Sequence, residues 1–178
     1  RAILDDTLER AVAAVRRGAE SAGRDPARVR IWSVLATVGD HLDEPARLRK
    51  LVGRLATYLQ GYGDLLVRVN GWDPEVLERF RAAEVVRAAR GAIDATATVP
   101  ELEAIAELLP REWLDASATG TPEQCAATVC EQFRLGADSV ILHGATPAEL
   151  APVLEAYRAV RPEGVGDRCA PNPGWLRP

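Results

Sequence analysis

Two histidines are the side chains best suited to move a proton near neutral pH in this 178-residue chain, and each follows an apolar run. His41 comes just after VRIWSVLATV (29–38) and stands beside Asp40. Such a pair can transfer a proton or hydrogen-bond a substrate; it equally fits a solvated loop in which Asp40 caps the turn. His143 ends the run SVIL (139–142) and precedes Gly144, where the missing Cβ would let a ligand approach the backbone. It could donate to a cofactor carbonyl or phosphate, or simply bond a neighbouring loop. Thr37, near the end of the first run, joins Gly144 as a candidate cofactor contact. Gly120-Thr121 opens a predicted helix whose free N–H groups suit an anion, although plain capping explains the same residues.

Other chemistries find little support. Two histidines and no spaced acidic cluster argue against a dedicated metal site. There is no GxGxxG, GxxxxGK[ST] or GxSxG segment. Cys125 and Cys130, five apart on a predicted helix, point about 140° away from each other, which suits buried hydrophobes in a reducing compartment better than shared ligation. Cys169 makes the count odd. A net charge of −4 with interspersed signs shows no footprint for nucleic acid. No apolar run approaches the roughly 18 residues of a membrane span. Hydrophobic content of 47% and charged content of 27% suit a globular domain.

The elements that would position these residues alternate. Residues 4–22 carry apolar side chains at helical spacing, and Gly23 stops the helix. Residues 29–38 read as a strand buried on both faces, with Ser33, Leu35 and Thr37 on one side and Trp32, Val34 and Ala36 on the other. Trp32 is expected in the core. A helical pattern covers 45–69, bent at Gly61 and Gly63, with Tyr58 and Tyr62 as packing residues. Asp73-Pro74 starts a helix to about Arg81, a short one follows at 84–90, and Pro100 begins another. Trp113 to Ala118 is expected as a short strand. Thr121-Pro-Glu-Gln124 and Thr146-Pro-Ala-Glu149 are capping boxes that launch helices to about Leu135 and Val160, with a strand at 139–142 between them. Strand–loop–helix modules of this kind predict a parallel sheet.

At 118–150, ATGTPEQCAATVCEQFRLGADSVILHGATPAEL resembles the closing segment of luciferase-like monooxygenases, with its Gly-Thr-Pro-Glu helix start, Gly-Ala-Asp turn and short final strand. AAVRRGAESAGRDPARVRIWSVLATV resembles that family's helix, AGRDP turn and barrel strand. VGRLATYLQGYGDLLVRVNGWDPEVLERFR resembles an actinobacterial subgroup of F420-dependent oxidoreductases. The likeness spans about residues 5–160.

The resemblance implies a (β/α)8 TIM barrel and a hydride transfer between coenzyme F420 and a small organic substrate. FMN-dependent monooxygenation is the alternative within the family, and a non-catalytic, partner-binding fragment is the alternative outside it. It also implies a cytoplasmic homodimer. A complete barrel takes roughly 250 residues. The chain's length, its lack of any Met and the absence of the family's N-terminal strands lead us to expect the C-terminal half of the barrel over 1–161, with a long helical insertion. The Pro- and Gly-rich segment 162–178 is expected as an irregular tail on which Trp175 could dock.

Overall fold

The computed structural model describes residues 3–165; Cys169, Trp175 and the tail from 166 onward lie outside the described residues. Helix α1 (Ile3–Ser21) buries Val12 and Ala19. Asp25 then caps a single 3-10 turn over Pro26–Arg28, its carboxylate accepting from Ala27 N at 2.9 Å. Strand β1 (Trp32–Gly39) therefore starts three residues later than its apolar run, because the turn and the extended link after it occupy 26–31.

Between β1 and the next strand the chain builds a helical insertion. It comprises α2 (Glu44–Leu48), a π turn over Arg49–Gly53, α3 (Arg54–Asn70), α4 (Pro74–Ala82), α5 (Glu84–Arg87), α6 (Ile93–Thr96), α7 (Val99–Ala106) and α8 (Arg111–Leu114). Its own core includes Leu59, Phe80, Ile93, Leu102 and Trp113. The bend expected at Gly61 and Gly63 falls on Tyr62 between them, which leaves helical geometry at φ −133°, ψ 18°. Two expectations are corrected here. Tyr58 and Tyr62 are not packing residues, being 41% and 64% exposed. Trp113 does not begin a strand: it lies in α8, where its ring stacks on Trp72 at 4.3 Å between centroids. Burying that indole in the insertion core outweighs the weak strand preference of its neighbours.

Strand β2 is short, Ala118–Gly120, followed by α9 (Pro122–Arg134), β3 (Ser139–His143) and α10 (Pro147–Val160). Both helices begin with the expected capping boxes: Thr121 with Gln124, and Thr146 with Glu149. The three strands are parallel in the order β2-β1-β3, with Thr37 opposite Ala118 and Trp32 opposite Ser139. This order departs from a barrel of sequential neighbours, in which β2 would stand between β1 and β3.

One sheet face is covered. Leu35 packs there with Cys125 and Val129 of α9 and Val153 of α10, and Ser33 Oγ donates to Gln132 Oε1 at 2.7 Å. The other face is open: Trp32 is 53% exposed, Val34 62% and Ile141 42%. The expectation of a doubly buried strand with Trp32 in the core is thus corrected. Trp32 lies under the Arg30 guanidinium, 4.6 Å from its ring centroid, instead of inside a core.

Candidate functional site

In an open parallel sheet, ligands bind outside the carboxyl ends of the strands, at the point where successive connections depart in opposite directions. Here that point lies between β1 and β3. The chain leaves β1 for one neighbour, β2, and α9 then carries it past β1 to the other neighbour, β3.

His41 and His143 both stand at this end. His41 folds back so closely that a Cβ on Gly39 would lie 2.5 Å from its ring. Its Nε2 donates to the Glu149 carbonyl at 2.8 Å. His143, the last residue of β3, meets Arg54 at the start of α3: Arg54 Nη1 is 2.8 Å from Nδ1 and 3.2 Å from Nε2. A guanidinium can only donate, so the imidazole accepts and is neutral in this contact. Burial, and then the Arg54 charge, hold the His143 pKa below the ordinary histidine value.

Gly144 turns the chain at φ +95°, a conformation that disfavours a side chain. A Cβ there would stand 3.4 Å from Arg54 Cζ and Nε, so the bare backbone lies against the guanidinium. Lys50, from the π turn, donates to the Gly144 carbonyl and to Glu149 Oε2, both at 3.1 Å. The Glu149 carboxylate also accepts from Thr146 N at 2.6 Å. That backbone bond, then Lys50, lower its pKa to about 2. A continuous chain of contacts thus runs from His41 through Glu149, Lys50 and Gly144 to His143 and Arg54.

The other sequence candidates sit elsewhere. Thr37 is on the helix-covered face, 1% exposed, with Oγ1 donating to the Leu35 carbonyl at 3.2 Å. It does not join this network. Asp40 turns toward β2, its N–H donating to Gly120 O at 2.8 Å. At Gly120-Thr121 the N–H of Thr121 is taken by Gln124 Oε1 at 2.8 Å and that of Gln124 by Thr121 Oγ1 at 3.3 Å, so capping already uses these donors. Cys125 is buried, which raises its thiol pKa to about 11 and disfavours a nucleophilic role. Among the described residues no three His, Cys, Asp or Glu side chains converge as metal ligands.

Sequence reasoning missed Lys50, Arg54 and Glu149 as site residues. A signal existed. Lys50 is the only lysine in the chain, and Lys50 and Arg54, four apart, share one helix face shortly after a strand end. A π turn such as Arg49–Gly53 is also frequently found at functional sites.

The model of the luciferase-like monooxygenase family matches residues 4–139. The chain belongs to that family. Comparisons with curated proteins and with solved structures gave no match. Luciferase-like proteins are oxidoreductases that use flavin-type cofactors. The carboxyl-end network suits the polar flank of such a group. Arg54 Nε is buried against the Gly144 turn with no hydrogen-bond partner. No described helix of this luciferase-like chain is long and apolar enough to cross a membrane.

Proposed function

We propose that this chain belongs to an enzyme that transfers a hydride between coenzyme F420 and a small organic substrate. In this reading the β1–β3 crevice forms one wall of the reaction chamber. The observation that carries the proposal is the convergence of His41, His143, Gly144, Lys50 and Arg54 at the carboxyl ends of the strands in a member of the luciferase-like family. F420 rather than FMN is favoured by the likeness of residues 52–81 to the F420-dependent subgroup.

The cofactor, when bound, supplies the hydride chemistry. The chain's own part is to hold and orient. His143 offers a ring N–H as a donor, Arg54 sets the ring, and Lys50 fixes the Gly144 turn. Lys50 and Arg54 bring the start of the helical insertion to the end of β3. A cytoplasmic homodimer belongs to the same proposal. The open apolar face of Trp32, Val34 and Ile141 favours further strands beside this sheet. The order β2-β1-β3 counts against the barrel, because a sequential barrel requires β3 beside β2.

The test is a fluorescence titration of F420 and, separately, of FMN against this chain and against the protein from its complete gene. Saturable F420 binding with no FMN binding supports the proposal. FMN binding alone transfers the reading to monooxygenation. Failure of the complete protein to bind either one overturns both.

A further inference from the structure

Helix α3 is apolar on two opposite sides. Ala56, Leu59, Gly63 and Val67 face the insertion core and are buried. At about 100° per residue, Tyr58, Tyr62, Leu65 and Val69 fall on the far side. They are 41%, 64%, 47% and 44% exposed, before and after the bend at Tyr62 alike. Their spacing of four, three and four is that of a helix–helix seam. A helix that is apolar all round is one that other structure encloses. The four side chains together present roughly 350 Å2, a patch of the size that marks protein–protein contacts. No charged residue interrupts it. Asp64 and Arg68 flank it, and Asp64 is held by Arg81 at 2.8 Å.

The order of sizes along the seam selects its occupant. Two copies of α3 laid antiparallel about a two-fold axis set Tyr58 against Val69 of the second copy, and Tyr62 against Leu65 of the second copy. Every layer then holds one ring and one aliphatic side chain. A parallel pair would put ring on ring and Val69 on Val69, in layers of unequal width. Gly61 stands beside the seam, and a Cβ there would have nothing within 4 Å, so its missing side chain leaves room for the Arg68 stem of the second copy. We propose that the Tyr58, Tyr62, Leu65 and Val69 face of α3 is the surface through which two copies of this chain associate, antiparallel, about a two-fold axis. The seam and its flanks fall short of the roughly 1,600 Å2 of a standard interface, so micromolar dissociation is expected. The proposal rests on the homodimer of the functional reading, for which it supplies the interface, and does not involve the strand-end site.

The test is sedimentation velocity of the chain itself over a range of concentrations, with circular dichroism to check folding. A reversible monomer–dimer equilibrium is expected. Leu65→Glu, at an exposed side chain, should weaken it at least tenfold and keep the helical spectrum. Register is read by cysteine pairing in a Cys169→Ser background, where Cys125 and Cys130 are buried. Tyr58→Cys combined with Val69→Cys should give a disulfide-linked dimer on air oxidation. Within one helix these positions are about 16 Å apart, too far to bond to each other. Tyr58→Cys alone should stay unlinked. A chain that is monomeric at high micromolar concentration, an unchanged dimer in folded Leu65→Glu, or linkage by Tyr58→Cys alone would each overturn the proposal. So would a monomeric protein from the complete gene in which Tyr58 and Tyr62 resist iodination, because another segment of the same protein would then cover the face. A dimer that survives Leu65→Glu removes the interface and leaves the homodimer, whereas a monomer removes both. No cofactor enters these measurements, so their failure leaves the hydride reading standing, and failed F420 binding leaves the interface standing.

Discussion

Replacing Glu149 with alanine tests the network at the strand ends through one carboxylate. Glu149 accepts from Thr146 N at 2.6 Å and from Lys50 Nζ at 3.1 Å. Its carboxyl is held at about 2 against an ordinary 4.5. At about 1.4 kcal/mol per pH unit, this corresponds to at most about 3 kcal/mol of stability. The side chain is 26% exposed, so solvent screening reduces the figure to about 1–2 kcal/mol, in line with one capping interaction plus one partly exposed ion pair. A folded-state pKa below the unfolded value stabilises above the unfolded pKa and ceases to do so as pH falls through the folded one. Glu149→Ala should therefore lower Tm at pH 7 by roughly 2–8 °C for a chain of this size. The gap from the unmutated chain should narrow between about pH 4.5 and 2. Thermal melts followed by circular dichroism at pH 7, 4.5 and 3 measure it. A gap that is absent at pH 7, or that does not change with pH, would refute the linkage drawn between Glu149, Lys50 and the start of α10.

Three further outcomes follow from the packing. Gly120→Ala should destabilise by about 1–3 kcal/mol in urea melts, because φ is +95° and a Cβ would collide with Gln124 Oε1 in the capping box. Trp113→Ala should cost about 3–5 kcal/mol and Trp32→Ala under about 1 kcal/mol, since one indole is 3% exposed and stacked while the other is 53% exposed; chemical denaturation of the two variants gives the ratio. Cys125, with its thiol pKa raised to about 11 by burial, should resist iodoacetamide at pH 8 in the folded chain and react once urea exposes it, as read by peptide mass spectrometry.

Much of the local structure was legible in the sequence because short-range chemistry determines it. Thr121-Pro-Glu-Gln124 and Thr146-Pro-Ala-Glu149 specify two helix starts within four residues each, and both formed as expected. Asp73-Pro74 did the same for α4, and the glycines on either side of Tyr62 marked the bend in α3. The motifs around AGRDP and GTPE carried the family as well. Long-range contacts decided the rest. Trp113 became helical because Trp72, 41 positions earlier, offered a stacking face. Trp32 stayed outside the core because no described element covers that side of the sheet, which periodicity alone cannot report. His143 and Gly144 were visible as candidates. Their partners Arg54 and Lys50 lie 89 and 94 residues away in sequence. The sequence by itself determined where helices start and stop, which faces are apolar and which family the chain resembles. Only the tertiary structure decided the strand order and brought an unpaired guanidinium to the end of β3, because both depend on how the insertion packs against the sheet rather than on any local preference.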